Sequence, residues 1–228
     1  MPVIIRSQVA STVVTAGIQV ADLLRRFQNV MMDAKAVRWS ETEAIDWIND
    51  GATEIVLRRP AARAITLIHP LEQGTLQHAP DRVSQMLDVI CNIRPDGLPG
   101  AAIRICDRQQ LDDIDPNWHG KRAGVTRHYM IDERSPTTFY VYPPAQAGAQ
   151  IMALGAEPPP AVTDKTDTLD MRSEFISAIL NWMMYRAHSK DSQYSQGSTA
   201  ALHYQAFTDA IGAPSQAAQV NSATGNSK

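Results

Sequence analysis

The sequence predicts an α+β protein in which helices at both chain ends form a helical bundle around a central β-rich, sandwich-like insert. Apolar residues recur at three- and four-residue spacing near both ends, the mark of helices with one buried face. Between Pro60 and Pro160 the texture changes to short β-like runs separated by Gly, Pro, Asn and Asp. No internal repeat is visible, which excludes solenoids and propellers. These features divide the chain into an N-terminal helical part over 1–60, a β-rich insert over 61–162, a C-terminal helical part over 163–212 and an extended tail over 213–228.

The elements follow in order. Ile18, Val20, Leu23, Leu24, Phe27, Val30 and Met31 stripe one side of a helix over about 18–32, with Arg25, Arg26 and Gln28 on the other. Ser40 followed by Glu43 is a capping box, and Ala44, Ile45, Ile48, Ala52, Ile55 and Val56 carry a second helix over about 41–58, stopped by Pro60. Strands are expected at 64–69, 75–78, 86–93 and 101–106. A hairpin joins 127–131 to 138–142 around Asp132-Glu133-Arg134-Ser135-Pro136, and a further strand spans 150–154. Phe175, Ile176, Ile179, Leu180, Trp182, Met183 and Met184 predict a helix over about 171–188. Ala201, Leu202, Tyr204, Phe207 and Ile211 predict a last one that stops at Gly212. The tail from Ala213 to Lys228 has no aromatic residue and a single branched aliphatic, Val220, so alone it should be disordered.

Charge and composition narrow the chemistry. Lys and Arg number 21 against 24 Asp and Glu, a net charge of −3, too near neutral for a chain that wraps nucleic acid or coats anionic lipid. The uncharged run Phe175–Tyr185 falls far short of a bilayer span, and Val9–Ala21 is too diluted by Ser11, Thr12, Thr15 and Gln19 to read as a signal segment. Cys91 and Cys106 stand in apolar runs as packing residues. His69, His78, His119, His128, His188 and His203 nowhere take metal-ligand spacing. No phosphate-binding glycine motif occurs, and Asp112-Asp113-Ile114-Asp115 reads as a solvated helix end, so no metal or cofactor is expected. An enzyme would have to assemble its site from scattered residues such as His119 or His128 with Asp132, and none is expected. Trp47 and Trp182 read as core and Trp39 as a residue packing back over a helix start. Trp118 has no such explanation.

Three passages taken together carry a resemblance. The first runs from Asp22-Leu23-Leu24 through Arg38-Trp39-Ser40-Glu41 to Ala44-Ile45-Asp46-Trp47-Ile48-Asn49-Asp50-Gly51 and Arg59-Pro60. The second is Gly74-Thr75-Leu76-Gln77 followed by Asn92. The third is Pro116-Asn117-Trp118-His119, Arg127-His128-Tyr129-Met130, Asp132-Glu133, Pro136 and Phe139-Tyr140-Val141-Tyr142-Pro143-Pro144. In this order they resemble the head-to-tail adaptor (connector) proteins of short-tailed bacteriophages and are similar in layout to tail tubular protein A, over about residues 15–212. The resemblance implies a non-catalytic virion protein of the neck, assembled in the host cytoplasm. It implies a ring, usually dodecameric, between a portal protein and a tail (nozzle or tubular) protein, through which DNA passes without specific binding. The alternative is another phage tail-completion or head-closure component.

Such a ring needs patches on two sides of each protomer. Arg25 and Arg26 on the first helix are assigned to one. Strand alternation puts Phe139 and Val141 on one face of the hairpin and Tyr140 and Tyr142 on the other; one face should be core and the other an interface, and Phe139 and Val141 are assigned to a subunit or tail interface. The tail, through Ala213, Pro214, Gln219, Val220 and Lys228, is assigned to the portal.

Overall fold

The structure, a computed structural model, describes residues 17–132, 134–190 and 197–212. It opens on a two-residue strand, β1 (Ile18–Gln19), where the apolar stripe predicts helix. β1 pairs antiparallel with β10 (Thr168–Leu169), and the Val20 amide donates to the Asp167 carbonyl. Gly17 permits the approach, because a Cβ there would stand 2.7 Å from the Leu169 carbonyl oxygen. Helix α1 therefore starts at Val20 and runs to Val30, burying Val20, Leu23, Leu24 and Phe27.

Helix α2 (Glu41–Arg58) keeps its expected bounds, and the Ser40 hydroxyl accepts from the Glu43 amide at 3.2 Å. The Glu43 carboxylate reaches instead to Lys190. A 3-10 turn at Pro60–Arg63 then leads into the strands.

Two four-stranded sheets follow. One has the order β2 (Ala64–Pro70), β9 (Gln150–Ala156), β4 (Gln85–Ile93), β5 (Pro99–Ala102). The other has the order β3 (Gly74–His78), β8 (Thr138–Ala145), β7 (His128–Ile131), β6 (Arg104–Ile105). All pairs are antiparallel except β6 with β7. Leu67, Met86, Val89, Ile151 and Ala153 of the first sheet share one core with Tyr129, Phe139 and Val141 of the second, so the sheets pack face to face. The single strand expected at 101–106 is broken at buried Ile103. There the chain leaves the first sheet and joins the second. A short helix, α3 (Arg108–Ile114), follows; the sequence signalled only its acidic end.

The chain returns to helix after a 3-10 turn at Ser173–Phe175, with α4 (Ile176–Lys190) and α5 (Gly197–Ile211). Gly212, at φ +74°, ends α5, and its amide donates to the Thr208 carbonyl. Helix α4 touches α1, α2 and α5, and the four contribute to a second core. Within it Trp47 meets Phe27 edge-on, Trp39 closes over Phe27, and Trp182 lies 4.9 Å from Phe207. Asn49 of α2 ties this body to the strand-end segment at 162, donating to the Val162 carbonyl and accepting from its amide. No described helix is long and apolar enough to cross a membrane.

Candidate assembly surfaces

Arg25 and Arg26 project from the exposed face of α1, and both pair with Asp22, which their hydrogen bonds hold below the usual carboxylate range. Val30, 58% exposed, follows Arg26 by four residues and so continues the same stripe. The stripe runs into the loop between α1 and α2, where Met32 is 94% and Val37 83% exposed. That loop is built rather than slack. Met32 and Ala36 both take left-handed backbone, at φ 53° and 50°. The Asp33 carboxylate accepts from the Val37, Arg38 and Trp39 amides at 2.9, 2.9 and 3.1 Å. These bonds, that from Trp39 foremost, lower the Asp33 pKa.

The hairpin assignment needs correction. Phe139 and Val141 are fully buried and face the first sheet across the sandwich core, so neither can meet a neighbour. The outward pair is Tyr140 and Tyr142, and the chain covers much of this face itself. Trp118, in a 3-10 turn (Trp118–Gly120), is fully buried with its ring edge-on to both tyrosines at 6.1 and 6.3 Å. Its Nε1 donates to Asp112 of α3 at 2.7 Å. Its neighbour His119 stacks on it and bonds Thr75 of β3 at 2.8 Å. Trp118 is thus the lid of the sheet's outer face, a role that its sequence surroundings did not reveal.

Beside this lid lies an open depression of about 530 Å³ lined by Cys106, Arg108, Asp132, Arg134 and Tyr140 among others. Two of its charges, Asp132 and Arg134, are spent on one another. Asp132 receives Arg134 on both carboxylate oxygens, which pulls its pKa down to about 2. Burial, with a smaller push from Asp107, raises the Cys106 thiol and leaves it a poorer nucleophile at neutral pH. Neither His119 nor His128 bonds Asp132, so the histidine–aspartate pair named as an enzyme's best candidate is not brought together. Among the described residues no group of His, Cys, Asp or Glu could hold a metal ion. Ala213, Pro214, Gln219, Val220 and Lys228 lie outside the described residues.

Residues 18–227 match the SU10 adaptor protein family, nearly the entire chain. The chain belongs to that family. Its members are phage head-to-tail adaptors, and the resemblance carried by the three sequence passages is to the same kind of protein. No curated protein matches the chain. As an SU10 adaptor it is a structural phage protein, and the described surfaces fit that character. They offer preformed apolar protrusions and self-paired charges.

Proposed function

We propose that this adaptor is the subunit of a ring, dodecameric as the resemblance implies, that joins portal to tail in the virion neck and through which DNA passes during ejection. Family membership over residues 18–227 carries the reading. The stripe from Arg26 through Val30 to Met32 and Val37 supports it, since exposed apolar groups on a braced loop suit burial against another protein. The near-neutral charge suits a passage that does not hold its DNA. The tail at 213–228 docks on the portal, and the subunits assemble in the host cytoplasm.

Native mass spectrometry of the purified protein mixed with portal tests this. A closed ring of many copies is the expected outcome, and a protein that stays monomeric with portal present overturns it. Joint replacement of Arg25 and Arg26 by Glu should reduce the ring fraction while leaving the thermal transition of the subunit in place. Unchanged rings would remove these two residues from the interface.

A further inference from the structure

Four strands edge the two four-stranded sheets, and three of them are poor templates for a further strand. β3 has a register break between Gly74 and Leu76, β5 begins at Pro99 and has four residues, and β6 has two. β2 differs. Its seven residues pair with β9 in unbroken register, and none of them is Asp, Glu, Lys or Arg. Edges are usually blunted by bulges, charges or proline, and here only Pro70, at the far end, does so. The Arg63 carbonyl accepts from the Glu157 amide, and the Leu71 amide donates to the Ala149 carbonyl. Such bonding alternates along an antiparallel pair, so Ile65, Leu67 and His69 turn their main-chain groups to β9, while Ala64, Thr66 and Ile68 turn theirs to the open side. Thr66 and Ile68 are exposed, Ile68 to 56%, and on the inner face Ile65 is only partly covered by the sandwich core.

The chain upstream of Gly17 departs from the foot of this strand. The β1–β10 register places Gly17 opposite Asp170, and the Asp170 carboxylate accepts at 2.7 Å from the guanidinium of Arg63, the residue before β2. One strand spacing and two side chains thus separate Gly17 from Ala64, on the order of 20 Å. An extended residue covers about 3.3 Å, so residues 9–16 span about 26 Å and bridge that gap. Val3-Ile4-Ile5-Arg6-Ser7-Gln8-Val9 is rich in β-branched residues, with Val3, Ile5 and Val9 on one side of an extended chain and Arg6 and Gln8 on the other. The tail at 213–228 starts near the same place, since Arg59 donates to the Ile211 carbonyl, but Val220 is its one branched aliphatic.

We propose that residues 3–9 add antiparallel to the open edge of β2 in the same chain, as its outer strand. Traced back from Gly17, the segment meets β2 first at Ala64, which sets the direction. Alternation sets the register. With Ile4 opposite Ile68 and Arg6 opposite Thr66, the residues Val3, Ile5 and Ser7 lie opposite His69, Leu67 and Ile65 on the inner face, while Arg6 and Gln8 stay in water. A slip of one residue would exchange the two faces. The Arg6 main-chain groups then bond those of Thr66, and those of Ile4 bond Ile68. The contact belongs to the single subunit and holds whether or not the subunit joins a ring. A neighbouring subunit's segment, a second copy of β2 and the 213–228 tail are the rival occupants.

Amide hydrogen exchange of the full chain, with a cysteine crosslink, tests this. The Thr66 and Ile68 amides should exchange at least about ten-fold more slowly in the full chain than in protein lacking residues 2–9. Arg6→Pro, which removes the amide that bonds Thr66, should exchange as fast as the deletion. In a Cys106→Ser background, Ile4→Cys with Ile68→Cys should form a disulfide under mild oxidation, since residues paired in this way stand about 5.5 Å apart at Cα. The crosslinked protein should run as a monomer on a non-reducing gel. Circular dichroism and the thermal transition confirm that each variant is folded; if the deletion is not, Arg6→Pro alone carries the exchange comparison. Slow exchange that persists in the deletion or in Arg6→Pro shows a rival occupant and overturns the proposal, as does fast exchange in the full chain. A crosslinked dimer assigns the segment to a neighbouring subunit and overturns it equally, and so does the absence of any crosslink.

Discussion

Gly51 and Asp33 show two ways in which one residue fixes a local arrangement. Gly51 sits in the interior of α2, where alanine would favour the helix by about 1 kcal/mol. A Cβ at that position would stand 2.9 Å from Cδ1 of Trp182, whose ring is held in turn by Phe207. Overpacking of about 1–3 kcal/mol then outweighs the helix gain. Gly51→Ala should therefore lower Tm by about 2–4 °C, and calorimetry of the two proteins decides it. Asp33 acts through charge. Its folded pKa is depressed, so the support it gives the loop is present above the ordinary carboxylate pKa and is lost as pH falls through the folded value. The Val37, Arg38 and Trp39 amides should exchange slowly at neutral pH and faster, after correction for intrinsic rates, in acid. Asp33→Asn should show the acid behaviour at neutral pH; equal protection in both proteins would show that the carboxylate does not brace the loop. Of the residues that carried the family resemblance, several serve as such brackets. Gln77 closes the turn between β2 and β3 by bonding both main-chain groups of Glu72, and Asn92 forks across two segments.

Elements were legible in the sequence where one local pattern decided them. The Ser40 cap and the apolar spacing behind it fix α2, and the turn residues between 131 and 138 fix the β7–β8 hairpin. Where a distant partner decided, the pattern misled. Ile18 and Gln19 continue the helical stripe of α1 but are claimed by Thr168 and Leu169, far along the chain. Ile103 interrupts a strand because it turns the chain from one sheet into the other, and nothing in its neighbours announces that. The candidate interface failed at Phe139 and Val141 for a related reason: alternation tells which residues share a face, not which face is core. Trp118 was unexplained because its partners, Asp112 of α3 and Tyr140 and Tyr142 of β8, come from two other elements. The lid that it forms can be weighed. Trp118→Ala should cost about 3–5 kcal/mol, the range for emptying a large buried aromatic site. Trp118→Phe should cost about 1–2 kcal/mol, since the ring stays and Asp112, being half-exposed, can turn to water. Urea unfolding of the three proteins checks the order, and an alanine variant as stable as the phenylalanine one would show that the ring does not cover the sheet.

At the scale of the whole molecule the question is how a small, nearly neutral subunit makes a firm joint. Its described charges are largely paired within the subunit, and its exposed apolar residues are spread over the α1–α2 loop, the helices and both sheets. The tail from Ala213 to Lys228, inside the family match as far as residue 227, offers a different kind of contact. Its Ala, Ser, Gln and Asn cannot form a core of their own, and ordering each residue costs about 1 kcal/mol or more of backbone entropy. One such tail would dock weakly. In a ring the tails act together, because once one has docked the others are held near their sites, and many weak contacts add to one stable joint. On the proposed reading the portal would then be recognised by the assembled or assembling ring rather than by free subunits, which would give assembly an order. Deleting 213–228 should leave the subunit's thermal transition unchanged while capsids accumulate without tails. Adding the isolated tail peptide should compete poorly against intact rings, since a single copy lacks the others' help. Truncated protein that completes infectious particles at normal yield would refute the docking role, and a peptide that displaces rings at equal molar concentration would refute its dependence on the ring.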